Sequence, residues 1–71
     1  MDARQWLDGY AERLGVSPPT DQELATLLAL AGVAAHSSER IAAPVACWVS
    51  ARAGVDPEQA LAAAREVSGD G

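Results

Sequence analysis

The chain has no lysine, no phenylalanine, one histidine and one cysteine among 71 residues. Each shortage excludes something. A single cysteine, Cys47, cannot close an internal disulfide, so a reducing cytoplasm is the expected home. Without lysine, positive charge rests on five arginines against ten acids, a net charge of −5. Arg4, Arg13, Arg40, Arg52 and Arg65 form no stripe. Such a chain repels phosphate backbones, which argues against a nucleic-acid reader and for a protein partner. No apolar run nears the roughly 20 residues of a membrane helix, and the N-terminus has no apolar signal core. Strand patterns and internal repeats are absent too. Missing lysine beside abundant alanine is the mark of a high-GC bacterial genome.

Large apolar side chains are also few: seven leucines, six valines, Ile41, two tryptophans and Tyr10. A single domain of this length buries a modest core and sits near the lower limit of independent folding.

What is present reads as four helices separated by strong punctuation. The first is expected over about residues 3–14, with Asp2 as N-cap and Gly15 in the left-handed end position. Trp6, Leu7, Tyr10 and Leu14 share a face. Pro18-Pro19 cannot continue a helix. The second helix, 21–36, opens with the capping box Thr20-Asp21-Gln22-Glu23. Leu24, Leu27, Leu28, Ala31 and Ala35 form its inward stripe. Leu30 and Val33 widen that stripe, so this helix is expected to be central. The third is expected over 42–53. Ser37 or Ser38 is a candidate cap, but Pro44 is harmless only in a first turn, which moves the start to Ala42 or Ala43. Val45, Trp48, Val49 and Arg52 share a face there, and Trp48 is expected in the core. Gly54 ends that helix. Asp56-Pro57 opens the fourth, 57–67, with Ala60, Leu61, Ala64 and Val67 inward. Residues 68–71 are expected to fray. Short connections favour antiparallel neighbours. The expected fold class is all-α, one domain, as a compact four-helix bundle or an orthogonal four-helix domain.

The run His36-Ser37-Ser38-Glu39-Arg40-Ile41-Ala42-Ala43-Pro44 holds the densest chemistry. His36 lacks companion metal ligands other than Cys47, and a zinc site needs three or four. It is expected to serve the end of the second helix as a cation or donor. Arg40 is expected to bridge to an acid or to helix-ending carbonyls, or else to offer a fixed fork to a partner. Cys47 lies inside a helix with no orienting third residue or oxyanion motif, so it is read as a small buried hydrophobe. No catalytic, cofactor or metal site is expected. The candidate interaction residues are His36, Glu39, Arg40 and Pro44. An acyl carrier's Asp-Ser-Leu is missing, and so is the polar recognition helix of a helix-turn-helix reader.

Trp6-Leu7, Leu14-Gly15-Val16 with Pro18-Pro19, and above all Ala35-His36-Ser37-Ser38-Glu39-Arg40 leading to Ala42-Ala43-Pro44 carry a resemblance. From about Trp6 to Val67 the chain resembles a small bacterial helical domain of unknown function, found alone or fused to the molybdenum-cofactor guanylyltransferase. The resemblance implies a setting in molybdenum-enzyme maturation. The chain itself lacks the Gly-rich nucleotide loop and metal-binding acids of that enzyme. The leading expectation is a non-enzymatic accessory domain docking on the guanylyltransferase or on a molybdoenzyme. A second is binding of a phosphorylated cofactor by Arg40, His36 and the start of the third helix. A third is a self-associating bundle, a homodimer, because a thin core gains from association.

Overall fold

A computed structural model describes residues 1–69, and in it the expected all-α fold is realised. Its helices are α1 (Ala3–Leu14), α2 (Asp21–Ser37), α3 (Ala42–Ala53) and α4 (Pro57–Val67), with no strand among the described residues. Three of them begin with reciprocal caps. The Asp2 carboxylate accepts the Gln5 amide at 2.8 Å, and the Gln5 side chain accepts the Asp2 amide at 2.9 Å. Thr20 with Glu23 and Asp56 with Gln59 repeat the device. Each box satisfies donors that a helix start would otherwise leave to water. Gly15 closes α1 at φ 76°. The amides of Gly15 and Val16 return to the carbonyls of Glu12 and Ala11, a Schellman motif that only a residue tolerant of left-handed backbone completes cheaply.

The third start differs. α3 has Ile41 at its N-cap and no side-chain cap. Neither Ser37 nor Ser38 caps it: Ser37 is the last residue of α2, and Ser38 is that helix's C-cap. Pro44 explains the shift. It must lie in the first turn, which leaves Ser38 out of reach. It also stands where a cap would find its amide, and proline has none. The turn closes instead with the amides of Ala42 and Ala43 donating to the carbonyls of Glu39 and Arg40, at 2.9 and 3.1 Å.

α2 is the hub, as its wide apolar stripe foretold. Both α3 and α4 pack extensively on it, whereas α3 and α4 have no comparable interface with each other. α1 has no such interface with any helix. It is held by buried Ala11, half-buried Leu7 and Arg4, and by Arg4 Nη1 standing 4.0 Å from Asp21 Oδ1.

The core is thinner than its hydrophobic pattern suggests. Among the described residues only Ala11, Leu30 and Ala60 are buried. Leu28, assigned inward, is 64% exposed, and Leu30 instead sits at the centre of the α2 stripe. Leu28 and Leu30 are about 200° apart around a helix, so both cannot face the same neighbours. Trp48, assigned to the core, is 61% exposed. On α3 the half-buried positions are Ala42, Ala43, Ala46, Cys47 and Ser50, so the face of small side chains is the one turned toward the body, where α3 packs on α2. That choice turns Val45, Trp48, Val49 and Arg52 outward together. Val67, also assigned inward, is exposed on the last turn of α4. Fraying does not begin at Ser68: its amide and hydroxyl both donate to Ala64, and the Gly69 amide donates to Glu66. Asp70 and Gly71 lie outside the described residues.

Candidate functional site

The α2–α3 junction brings the sequence's polar run onto one exposed corner. His36 lies on the last turn of α2, Glu39 and Arg40 in the connecting turn, and Pro44 in the first turn of α3; all four are exposed. Among the described residues, none of the side chains of His36, Glu39 or Arg40 makes a hydrogen bond or ion pair. The expectation that Arg40 bridges elements is therefore not met, nor is the one that His36 donates to the carbonyls ending α2. Glu39 and Arg40 are sequence neighbours in a turn and do not pair with each other, as adjacent side chains rarely do. The corner presents a carboxylate, a guanidinium and an imidazole, each without a side-chain partner among the described residues.

The same geometry bears on anion binding at the start of α3. A helix N-terminus attracts phosphate through free first-turn amides. Here the Ala42 and Ala43 amides are already spent on the turn carbonyls, and Pro44 has none to offer. Arg40 is left as the sole strong phosphate donor of the corner.

Beside this corner runs an open apolar groove of about 990 Å³. It exists because α3 and α4 both lean on α2 and diverge from each other. Leu30 forms its floor, Val45 and Val49 one wall, Ala60 and Ala64 the other, and His36 stands at its end. Half-buried Cys47 is a free thiol on the packing side of α3. No cluster of three or more His, Cys, Asp or Glu side chains suited to a metal is found among the described residues.

Two exposed aromatic features flank the body. Trp6 and Tyr10 stack on α1 with ring centroids 4.9 Å apart. On α3 the Arg52 guanidinium lies 5.2 Å from the Trp48 ring centroid, within range of a cation–π contact. The sequence reading missed Trp48 as a surface residue. A usable signal was present: α3 has two faces, and the small one packs while the bulky one carries Arg52. A second recess of about 260 Å³ lies where the starts of α2 and α4 meet, bordered by Glu23, Asp56 and Glu58. Its acids are engaged as caps or, for Glu58, by Gln22 at 3.4 Å.

Residues 1–70 match the family described as Domain of unknown function (DUF6457). The chain belongs to this family. No curated protein and no solved structure matches it at a significant level. The match agrees with the expected domain of unknown function and covers the four-helix body with its junction and groove. No helix among the described residues is long and apolar enough to cross a membrane.

Proposed function

We propose that this domain is a non-enzymatic interaction module of molybdenum-cofactor enzyme maturation. It docks in the cytoplasm on the cofactor guanylyltransferase, or on a target molybdoenzyme, through the α2–α3 junction. The observation that carries the reading is the junction itself: His36, Glu39, Arg40 and Pro44 stand exposed at one helix connection, and among the described residues the three polar side chains make no hydrogen bond or ion pair. Arginine and a rigid proline turn, next to an apolar groove, are the ingredients of a protein contact with a desolvated centre and a polar rim. The molybdenum setting rests on the likeness of the His-x-x-Glu-Arg-x-Ala-Ala-Pro segment to domains fused to the guanylyltransferase.

The test is Glu39→Ala combined with Arg40→Ala. Both residues are exposed and unpaired among the described residues, so helicity and melting should be preserved. Co-purification with the guanylyltransferase or molybdoenzyme, and molybdoenzyme activity in the host, should fall at least tenfold. Unchanged capture and activity from a folded double variant would sink the proposal.

A further inference from the structure

We infer that the α3–α4 groove is the seat of a second copy of this chain, entered by Trp48 of that copy around a two-fold axis. Three observations lead there.

The first is area. The accessible surface is 5356 Å² for a 7.3 kDa chain. A folded monomer of that mass exposes about 4,200 Å². The excess is on the order of 1,000 Å², close to the roughly 800 Å² that each partner contributes to a stable interface. The Cα radius of gyration, 12.5 Å, likewise exceeds the roughly 11 Å of a compact domain of this length.

The second is pattern. Ile41, Val45, Trp48 and Arg52 follow one another at steps of four, three and four residues. That is the spacing of a seam made for another helix. Ile41, Val45 and Trp48 are 72%, 57% and 61% exposed, so within one chain this seam is uncovered.

The third is self-complementarity. A two-fold interface uses one patch on both copies, so the patch must contain both its own knob and its own hole. Here Trp48 projects from α3, and the groove opens on the same helix, sharing Val45 with the seam and continuing through exposed Val49. Each copy offers the other a tryptophan and a recess. Arg52, already over Trp48, rims the contact with a cation. α3 carries no acid to draw that guanidinium away from the ring.

The groove shares His36 with the junction, but neither Glu39 nor Arg40 lines it, so the junction double variant and Trp48→Ala test the two ideas apart. Sedimentation equilibrium of the whole chain, from about 5 to 500 µM, should show a reversible monomer–dimer equilibrium. Trp48→Ala should weaken dimerisation at least tenfold with helicity intact. Leu28→Ser, which removes an equally exposed apolar side chain outside the groove, should leave it within about twofold. With Trp6→Phe, Trp48 becomes the sole tryptophan, and its emission should move to the blue as the dimer forms. A monomer throughout that range would overturn the inference and leave the face to a partner of another sequence. A dimer indifferent to Trp48→Ala, or one whose Trp48 emission does not move, would overturn it as well.

Discussion

Leu30 is 2% exposed, the most deeply buried large side chain among the described residues, and it touches both the α2 packing surface and the groove floor. Its two buried companions are alanines, so it carries a disproportionate share of the core. Replacing a buried leucine by alanine costs about 2–5 kcal/mol. A chain of this length has roughly 4–10 kcal/mol in all. Leu30→Ala is therefore expected to lose about half the stability or unfold the domain, read as a drop in the urea midpoint. The caps act at the same scale with smaller effects. Thr20→Ala removes an exposed N-cap oxygen that holds the Glu23 amide at 3.0 Å and should cost about 1 kcal/mol. An equal cost for both substitutions would contradict the placement of Leu30 as the keystone.

Among the elements, α3 is the most informative, because its two faces invert the usual order. The small face, with half-buried Ala43 and Cys47 outside the groove, turns toward the body, and the bulky face looks outward. Enlarging the small face should force the helices apart. Ala43→Leu is expected to cost about 1–3 kcal/mol through overpacking. Trp48→Ala on the other face should cost the isolated chain no more than about 1 kcal/mol, the scale of its contact with Arg52. Chemical denaturation at low protein concentration separates the two. α1 supplies a second contrast. It is tied down by Ala11, Leu7 and Arg4 without an extensive helix–helix interface. Its amides should exchange with deuterium well before those at the centre of α2, whose loss requires global opening. These contrasts also mark what the sequence could and could not reveal. Helix positions were legible because Asp2, Thr20, Asp56-Pro57, Gly15 and Gly54 act locally, within three or four residues of where they stand. The hub role of α2 was legible because its apolar residues run round more than one side. Orientation was not. Periodicity shows that Val45, Trp48 and Val49 share a face, but not which neighbour the helix meets, and size alone pointed to the wrong face. The junction residues lie within nine positions of one another, so the sequence already held them at one helix connection. Their freedom from internal partners depends on distances to acids and carbonyls elsewhere in the fold, which no local pattern encodes.

At the scale of the whole molecule, a thin core and a surplus of apolar surface belong to one explanation if two copies complete each other. Association then adds to folding stability by mass action, and melting depends on concentration. Above the dissociation constant, a hundredfold rise in chain concentration adds about 1.4 kcal/mol per chain. In a domain of this size that lifts Tm by roughly 5–10 °C. The same rise should leave Trp48→Ala nearly unmoved. Salt separates the nature of the contact from its existence. Each chain carries a net charge of −5, so two copies repel at long range, and that repulsion is screened as ionic strength rises. A dimer held by Trp48 in an apolar groove should tighten with added sodium chloride. One held by ion pairs across the interface should loosen. Tm measured over concentration at low and high salt distinguishes these outcomes in one experiment. A melting point independent of concentration would place the exposed α3 seam in the service of some other protein, and the marginal core would then have to stand by itself.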